Sequence, residues 1–375
     1  MAVVVGIIES LGAGGAERQF CYLMRHLALE GHTMVAITYK TFDTSDFYRD
    51  LLDSSAVDIR HLPPMTRRAR VGRIANICRE AGAQLIIAFM TSAMTYGTVV
   101  AKWLGVPILC SERNHDANSS LGFLARMVLL GLSDAVVANS QAQKDVMELR
   151  APWLHGKPKL IRNAYYPPAE PPQRKNAGFG LERDCTFVTV ATYSPSKNVM
   201  RAVEAFRRVS SGEMGVLSYR WFGQTLTEAT AGHPERNIYL QARAYAERHR
   251  LTDRLALNGP TREPLHEMSR ARFFVLPSLQ EGFPNALIEA CFAGAVPIVS
   301  AISDLPLLVK EGETGFLFDP AKVESVAAAM KRALALSDQQ RTLMADRALT
   351  AARSMFDPDI ALGLWGDVVA AHLAK

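Results

Sequence analysis

The sequence predicts an α/β fold made of two doubly wound domains of similar size. Short β-branched and aliphatic runs alternate along the chain with longer runs whose apolar residues recur every three or four positions. A proline-rich stretch interrupts this alternation once, near position 167, after which it starts again. The length of 375 residues is ample for two hydrophobic cores.

The first half of the chain predicts a parallel sheet flanked by helices. Residues 2–8 form a continuous apolar run and predict a buried strand. Residues 17–30 predict a helix, since their apolar positions repeat at spacings of three and four and Gly31 suits a C-terminal cap. Four later runs predict further strands at 33–39, 85–89, 106–111 and 135–139.

The second half repeats this pattern after a linker. Four prolines at positions 167, 168, 171 and 172 cannot build a core element, so we expect a linker there. A strand is predicted at 187–192 and an amphipathic helix at 199–210. Later elements are strands at 217–222, 255–257, 273–276 and 296–300 and helices at 321–337, 338–354 and 360–374. We therefore expect a first domain at 1–170, a linker at 171–183, a second domain at 184–355 and a final helical segment at 356–375.

Composition excludes several classes of protein. The formal net charge of +5 is a mild excess of basic residues. A nucleic-acid-binding protein usually has a denser stripe of basic residues. Five scattered cysteines without a CxxC pair indicate neither a zinc ribbon nor a redox motif. No apolar run is long enough to span a membrane, and the first residues lack the basic start of a signal peptide. A reduced, cytoplasmic protein fits best.

The first candidate site is a glycine cluster between the first predicted strand and helix. Gly14 and Gly15 would let a ligand approach the backbone closely, and the helix N-terminus that follows favours an anion. A tight strand-to-helix turn is the alternative. A dinucleotide fingerprint would need a third glycine where this chain has Glu17, and the second strand ends without an acid. The cluster is therefore a weak candidate for a nicotinamide cofactor.

The second candidate site follows the strand at 273–276. Asn285 suits the N-cap of a helix at 286–293. Glu281 then lies in the loop before the helix, and Glu289 lies one turn inside it on about the same side. Amides at a helix start can hold a phosphate, and carboxylates accept hydrogen bonds from sugar hydroxyls. The alternative is a solvated loop acid followed by an acid that compensates the helix dipole.

The spacing Glu281-x7-Glu289 after Leu276-Pro277-Ser278 resembles the E-x7-E signature of retaining glycosyltransferases of family four. The resemblance extends over nearly the whole chain. The E-x7-E element is specific in this context, whereas the other segments are weak singly and occur in the right order. Those segments are Gly14-Gly15-Ala16-Glu17-Arg18, Ala138-Asn139-Ser140, Ile161-Arg162-Asn163, Lys197 and Asn258-Gly259.

The resemblance implies a GT-B fold, in which two Rossmann-like doubly wound domains face each other across a cleft. The second domain would hold a nucleotide-diphosphate sugar and the first an acceptor, with the last helix crossing back to the first domain. By position, Glu289 would bind ribose hydroxyls, Glu281 the donor sugar, and Lys197 the diphosphate. The implied donor-binding set is Gly14, Gly15, Lys197, Gly259, Glu281, Gly282, Phe283, Asn285, Ala286, Leu287 and Glu289.

The sequence departs from the family pattern at two places. The family usually has an arginine five residues before the lysine, where this chain has Thr192; Arg113 or Arg18 could substitute on charge and placement alone. The usual acceptor-domain histidine aligns with Arg113, and His115 follows two residues later. We expect catalytic roles for Glu281, Lys197, His115 and Arg113, and acceptor binding by Arg18, Arg113 and Asn114.

The function that the resemblance implies is retaining, metal-independent transfer of a sugar to a hydroxyl of a glycan or lipid-linked acceptor. The donor would be a UDP-sugar or, as an alternative, a GDP-sugar, with no cofactor. The only Asp-x-Asp, Asp357-Pro358-Asp359, lies at the predicted start of the last helix, where capping explains it better than a metal. Two other readings are a sugar-nucleotide epimerase of the same fold and a weakly active nucleotide-sugar-binding protein.

A basic run adds an expectation about membranes. Arg67, Arg68, Arg70 and Arg73 are either a solvated helix face or a patch that contacts anionic lipid. The apolar run 121–132 could add contact, although core packing is the favoured explanation of this run. Many members of the family that this sequence resembles extend lipid-linked glycans at the inner membrane face. The resemblance therefore implies a cytoplasmic protein that can attach peripherally to that face, and we expect no nucleic-acid partner.

Overall fold

The computed structural model describes residues 1–12, 14–41, 46–53, 56–113, 121–167, 185–211, 217–225 and 237–374. The chain divides into two compact units. Unit 1 comprises Met1–Ala164 and Phe356–Lys375, and unit 2 comprises Tyr165–Met355. The predicted linker at 171–183 lies outside the described residues.

Unit 1 is built on a seven-stranded parallel sheet. Its strands are β1 (Val3–Ile7), β2 (Thr33–Thr38), β3 (Asp58–His61), β4 (Leu85–Phe89), β5 (Ile108–Glu112), β6 (Ala135–Ala138) and β7 (Pro158–Leu160). The spatial order is β3-β2-β1-β4-β5-β6-β7, so the direction of winding reverses between β1 and β4. In such sheets the reversal opens a crevice at the carboxyl ends of the strands, where ligands bind.

Helices cover both faces of this sheet and give unit 1 two core clusters. They are α1 (Gly15–Leu29), α2 (Asp50–Asp53), α3 (Arg67–Ala81), α4 (Thr91–Leu104), α5 (Leu121–Leu132) and α6 (Gln141–Arg150), followed by a 3-10 turn at Pro152–Leu154. One core cluster packs α3, α4 and α5 against the sheet and contains Ile74, Val100 and Met127. The other lies under α1 and contains Phe20 and Leu23, which belong to the predicted apolar stripe of that helix.

Unit 2 is a second doubly wound sheet, of six parallel strands. They are β8 (Cys185–Val190), β9 (Tyr219–Phe222), β10 (Leu255–Asn258), β11 (Ala271–Leu276), β12 (Val296–Ser300) and β13 (Phe316–Phe318), in the order β10-β9-β8-β11-β12-β13. The helices are α7 (Val199–Ser210), α8 (Ile238–Arg248), α9 (Pro264–Ser269), α10 (Asn285–Phe292), α11 (Leu305–Leu308), α12 (Val323–Leu334) and α13 (Asp338–Met355). Here the winding reverses between β8 and β11.

The last helix, α14 (Pro358–Leu373), belongs to unit 1 although it follows unit 2 in sequence. The buried ring of Trp365 stacks on Phe89 at the end of β4, with centroids 5.8 Å apart. The Asp357 carboxylate caps the helix by accepting from the amides of Asp359 at 2.9 Å and Ile360 at 3.2 Å, which confirms the capping expected of this acid pair.

The predicted fold class, two doubly wound Rossmann-like sheets, is confirmed, and the differences concern short strands. β3, β7 and β13 have only three or four residues each and were not predicted. Such strands are too short to show an alternation of their own, and β3 carries an aspartate, an arginine and a histidine. Among the described residues, no helix is both long enough and apolar enough to cross a bilayer.

Candidate functional site

The centre of the candidate site in unit 2 is an ion pair between Lys197 and Glu281. Lys197 ends the 3-10 turn after β8, and Glu281 lies in the loop after β11. The Nζ of Lys197 donates to Glu281 Oε1 at 2.6 Å. Because β8 and β11 are parallel neighbours, their carboxyl ends lie at the same edge of the sheet. The pair therefore stands where the winding reverses, the default ligand position of this architecture.

Asn198 fastens the turn that carries Lys197. Its backbone is left-handed, with φ at 56°, a conformation that asparagine tolerates better than most residues. Its side-chain amide donates to Pro277 O at 3.0 Å and to Pro320 O at 2.9 Å. These bonds tie the lysine turn to the loop after β11. Sequence analysis missed Asn198, although asparagine is one of the few residue types that favour a left-handed backbone.

Ser303 holds the other partner of the ion pair. Its hydroxyl donates to the backbone carbonyl of Glu281 at 2.7 Å, and its φ of 49° is left-handed. A non-glycine residue in this region costs on the order of 1 kcal/mol or more and persists where its surroundings fix it. Nothing in the local sequence marks Ser303, because the contact joins two loops 22 positions apart.

Helix α10 begins beside Glu281, one residue earlier than predicted. Asn285 is its first residue rather than its N-cap; Pro284 occupies the cap position, and no side chain caps the helix there. The helix begins at Asn285 because the backbone changes there: Pro284 is extended, with ψ at 127°, and Asn285 is helical. The amide of Leu287 donates to Pro284 O at 3.2 Å, and the start of a helix favours an anion.

The remaining predicted residues of this loop lie close along the chain but differ in exposure. Gly282 and Phe283 are buried, whereas Asn285 and Ala286 are half-buried. Leu287 is buried on the core side of α10. Glu289 is only 7% exposed, so its carboxylate is largely removed from water one turn inside the helix. A buried carboxylate requires hydrogen-bond partners, because desolvation penalises an unpaired charge.

Gly259 follows β10 at the same edge of the sheet. Its carbonyl accepts from Gly223 N at 3.2 Å, and there is open space where a side chain would begin. Position 223 requires glycine more strongly than position 259, since a Cβ on Gly223 would lie 1.9 Å from Ala191 O. The need for glycine at 223 comes from close packing of the ends of β8 and β9, which the sequence analysis did not detect.

In unit 1 the glycine cluster opens α1. Gly14 is the N-cap, with an extended backbone, and Gly15 is the first helical residue. Arg18 is buried at 8% exposure, one turn into the helix. Burial raises the pKa of Glu17 to about 7; the negative charge of Glu9 acts in the same direction, and a backbone hydrogen bond opposes it. The start of α1 therefore carries an acid that titrates near neutral pH.

Arg113 lies just beyond β5, where hydrogen bonds and a ring fix its guanidinium. Its Nε donates to Ser111 Oγ at 2.8 Å and its Nη1 to Asn163 Oδ1 at 2.6 Å. The guanidinium also lies over Phe89, 4.9 Å from the ring centroid. Burial lowers the pKa of Arg113 to about 9. The predicted residues Asn114 and His115 lie outside the described residues.

A polar network at the winding reversal of unit 1 was also missed. Glu9 follows β1, and its carboxylate accepts from the hydroxyl of Ser92 at the start of α4. Lys40 Nζ lies 2.9 Å from the other oxygen of Glu9, and Tyr39 OH lies 2.6 Å from Ser92 Oγ. The available signal was position: each of these polar groups comes at or just after the end of a predicted strand.

Comparison with known proteins decides the family. A family model described as "Glycosyltransferase Family 4" matches residues 13–165, and one described as "Glycosyl transferases group 1" matches residues 173–349. Together they account for both units. The chain belongs to the family-4-like glycosyltransferases of GT-B fold.

Curated relatives match this chain over part of their length. A putative colanic acid biosynthesis glycosyltransferase, WcaL of Salmonella typhimurium, is 30% identical over 163 residues, 41% of this chain and 36% of the relative. GDP-mannose:cellobiosyl-diphosphopolyprenol alpha-mannosyltransferase of Xanthomonas oryzae is 41% identical over 96 residues, 25% of each chain. An exopolysaccharide phosphotransferase of Streptomyces coelicolor is 39% identical over 85 residues, 22% of this chain and 9% of the relative. The matches therefore span about a third or less of these relatives.

Solved structures share the fold over nearly the full length. Anabaena Alr3699/HepE in complex with UDP and glucose superposes with a TM-score of 0.81 at 17% identity, covering 99% of this chain and 100% of that one. Sucrose-phosphate synthase from Thermosynechococcus elongatus gives a TM-score of 0.78 at 19% identity, covering 100% of both chains. At such identities the likeness shows the fold alone.

Within each unit, the fold brings some of the predicted residues together. In unit 2, Lys197 and Glu281 are in direct contact, and Asn285, Ala286 and Glu289 lie on the adjoining helix. In unit 1, Gly14, Gly15 and Arg18 share one helix start, while Arg113 stands at the end of β5. Within the described part of the chain, no group of three or more histidine, cysteine, aspartate or glutamate side chains is arranged to hold a metal ion.

Proposed function

We propose that this chain is a retaining, metal-independent glycosyltransferase. It would move a sugar from a nucleotide-diphosphate donor to a hydroxyl of a glycan or lipid-linked acceptor, in the synthesis of cell-surface polysaccharide or glycoconjugate. The observation that carries the proposal is the 2.6 Å pair of Lys197 and Glu281 beside the start of α10. It combines a cation and helix amides for phosphate with a carboxylate for hydroxyls.

The charges of this pair suit a donor that carries a diphosphate and a sugar. The ammonium of Lys197 has three N–H donors, and Glu281 uses one of them. Two donors therefore remain for phosphate oxygens, next to first-turn amides that favour the same charge. The second oxygen of Glu281 and the carboxylate of Glu289 are acceptors of the kind that sugar and ribose hydroxyls need.

The nucleotide is proposed as UDP, with GDP as the alternative. The Anabaena structure of the same fold contains UDP and glucose, and the Xanthomonas relative is named for GDP-mannose. Both neighbours support a nucleotide-diphosphate sugar, and they differ on the base. A single binding experiment therefore has to include both nucleotides.

Retention of anomeric configuration assigns a specific task to these residues. In the proposed reaction, the acceptor hydroxyl attacks the anomeric carbon on the face that the phosphate leaves, and the departing phosphate takes up its proton. The bond to the phosphate oxygen breaks as the new glycosidic bond forms. The protein then has to position the reactants and stabilise negative charge on the leaving group. Lys197 and the first-turn amides of α10 are the groups placed for that stabilisation.

The test is a thermal-shift screen against UDP, GDP and their common sugar conjugates, in buffer without metal and again with EDTA. A ligand that binds the native state raises the melting temperature by mass action. We expect a shift with one nucleotide, unchanged by EDTA and lost in Glu289→Ala. The matched control is Glu313→Ala, an exposed glutamate in the same unit, which should keep the shift. Absence of any shift with every nucleotide would overturn the proposal.

A second candidate is a weakly active nucleotide-sugar-binding protein. Thr192, which stands in the family arginine position, is exposed, so this place offers no positive charge to a diphosphate. Donor consumption distinguishes the two functions. A thermal shift together with donor turnover that requires a glycan acceptor supports the transferase; a thermal shift with no turnover on a panel of glycan acceptors supports the binding protein.

A further inference from the structure

The guanidinium of Arg113 carries a positive charge that no neighbouring acid neutralises. Its Nε and Nη1 donate to the uncharged acceptors Ser111 Oγ and Asn163 Oδ1, and its remaining contact is the ring of Phe89. Among the residues that the structure describes, none with an acidic side chain pairs with it. Burial lowers the pKa of Arg113 to about 9, so the group is still charged at neutral pH. A desolvated charge is normally paired, because an unpaired one destabilises the fold.

The acid next to Arg113 in sequence is directed elsewhere. Glu112 is the last residue of β5, and successive side chains at the end of a strand point to opposite faces of the sheet. Arg126 Nε lies 3.2 Å from Glu112 Oε2, and these two side chains are only 10% and 1% exposed. The charge of Glu112 is therefore neutralised by Arg126, and that of Arg113 is left without a counter-ion.

The acceptor that Asn163 offers to Arg113 is itself held in place. Its neighbour Ala164 is bound on both sides of the peptide by Gln19 of α1. Gln19 Nε2 donates to Ala164 O, and Ala164 N donates to Gln19 Oε1, each at 2.7 Å. The side chains of Gln19 and Asn163 are buried. The guanidinium is thus fixed before any ligand arrives, so little side-chain entropy remains to be lost on binding.

A strained backbone lies beside the same arginine. Met90 follows Phe89 at the end of β4, and its φ of 72° and ψ of 155° belong to a region that is essentially restricted to glycine. The amide of Met90 donates to Ser111 O at 3.4 Å. Such strain persists where the surroundings fix it, and it concentrates at ligand sites. The strain at Met90 therefore marks this edge of the sheet as a binding site, independently of the charge on Arg113.

Arg113 keeps the donors and the access that an anion needs. A guanidinium has five N–H donors, of which Ser111 and Asn163 take two, and three remain for a ligand. The side chain is half-buried, so it can be reached from outside. It stands one residue beyond β5, at the carboxyl edge of the sheet, where doubly wound domains bind ligands. The planar fork of arginine matches a carboxylate or a phosphate.

We propose that Arg113 binds an acid group on the acceptor, so that the acceptor is an acidic glycan whose recognised sugar carries a carboxylate or a phosphate. The inference rests on the proposed function, in which Lys197 and the start of α10 in unit 2 receive the donor diphosphate. The carboxyl edge of unit 1 is then left for the second substrate. Ser111 and Asn163 are positioning residues for the guanidinium. A neutral acceptor is disfavoured, because it would cover the guanidinium and leave its charge unpaired.

Thermal-shift titrations of the full chain at constant ionic strength test the proposal. The probes are methyl glucuronide and methyl glucoside, which differ by one carboxylate, and a glucose phosphate as the second acid. Arg113→Gln removes the charge, Arg113→Lys keeps the charge without the fork, and Asn163→Ala removes one positioning contact. The matched control is Arg68→Gln, at an exposed arginine of unit 1. Each protein is also titrated with UDP and GDP.

We expect the unmodified chain to bind at least one acidic sugar more tightly than methyl glucoside, by on the order of tenfold, as charge-assisted hydrogen bonds do. Arg113→Gln should abolish this preference, and Arg113→Lys should retain part of it. Asn163→Ala should reduce it, and Arg68→Gln should leave it unchanged. The shift produced by the nucleotide should persist in all four variants, which also shows that they fold.

Equal affinity of the unmodified chain for acidic and neutral sugars would overturn the proposal, whether or not any variant folds. A preference for acids that survives in Arg113→Gln would do the same. Loss of the nucleotide shift in Arg113→Gln, with circular dichroism unchanged, would assign the arginine to the donor diphosphate instead. The nucleotide titration keeps the two hypotheses apart. A chain that binds a nucleotide without preferring acids contradicts this inference alone, whereas a chain that binds no nucleotide contradicts the proposed function.

Discussion

Lys197 and Glu281 lie 84 positions apart in sequence, yet their side chains meet at 2.6 Å. The contact depends on topology, because β8 and β11 are neighbours only where the winding of the unit 2 sheet reverses. Each partner sits in a loop held by a left-handed residue, Asn198 on one side and Ser303 on the other. The ion pair is thus positioned by two loops that hydrogen bonds also tie to each other.

Replacing the lysine should damage catalysis more than stability. We expect Lys197→Gln to lower kcat by about 100- to 1,000-fold, as loss of one preorganised donor does at a developing negative charge. The lysine side chain is 24% exposed but that of its partner Glu281 only 9%, so loss of the pair should also lower the free energy of unfolding, by about 1–3 kcal/mol. Steady-state kinetics and urea unfolding measure the two effects.

The matched control is Lys322→Gln, which breaks the exposed 3.1 Å pair with Asp319 in the same unit. It should leave both kcat and the urea midpoint unchanged. If Lys197→Gln unfolded at clearly lower urea while keeping kcat, the ion pair would be a structural link and the catalytic assignment would fail.

Asn198 allows a prediction that separates backbone strain from hydrogen bonding. Asn198→Ala loses three side-chain hydrogen bonds, two donated to backbone carbonyls and one accepted from Arg201, and places alanine at a φ of 56°. We therefore expect a loss of about 2–4 kcal/mol in unfolding free energy. Asn198→Gly tolerates that φ and should recover about 1 kcal/mol of the loss. Urea unfolding of the three proteins gives the order. Equal stability of the alanine and glycine variants would mean that the left-handed backbone is not maintained.

The fold was largely predictable because its signals are local. Buried parallel strands such as residues 85–89 are continuous apolar runs, and an amphipathic helix such as 199–210 shows its stripe directly. The short strands were not predicted because three or four residues show no periodicity. β7 and β13 are strands because they pair with β6 and β12 at the edges of the sheets. Tertiary context, rather than propensity, makes those residues strands.

The candidate site was predictable where a loop and its helix are contiguous, and less so elsewhere. Glu281 and Glu289 were found because eight positions of one segment place them around a helix start. Ser303 and Ser92 were missed because their partners lie 22 and 83 positions away. No pattern within a short window records such contacts. The usable signal for these polar residues was their position: Glu9 and Lys40 each come directly after a predicted strand.

The last helix provides a prediction about unit 1 alone. Trp365 is 3% exposed and stacks on Phe89, so Trp365→Ala should cost about 3–5 kcal/mol of unfolding free energy. The neighbouring Leu364 is 44% exposed, and Leu364→Ala should change stability by less than about 0.5 kcal/mol. Hydrogen exchange of β4 amides measures the effect. A loss of protection in β8 and β11 instead would show that the helix supports unit 2.

Because the pKa of Glu17 is raised in the folded chain, the free energy of unfolding should depend on pH. This pKa is about 7 in the folded chain, above the ordinary value of 4.5, so between these values the folded state holds more protons than the unfolded state. Stability should therefore fall as the pH rises from about 4.5 to 7, by on the order of 1–3 kcal/mol. Above pH 7 the carboxylate is ionised in both states and the loss is complete.

The variant Glu17→Gln removes this titration. Its stability should match that of the unmodified chain near pH 4.5 and exceed it at pH 8, because glutamine never acquires the charge that burial penalises. Glu313→Gln, at an exposed glutamate, should show the same pH dependence as the unmodified chain. Thermal unfolding at pH 5 and pH 8 gives the comparison. If Glu17→Gln were less stable than the unmodified chain at pH 8, the Glu17 carboxylate would be a stabilising anion at the start of α1, and its pKa would lie below the ordinary value.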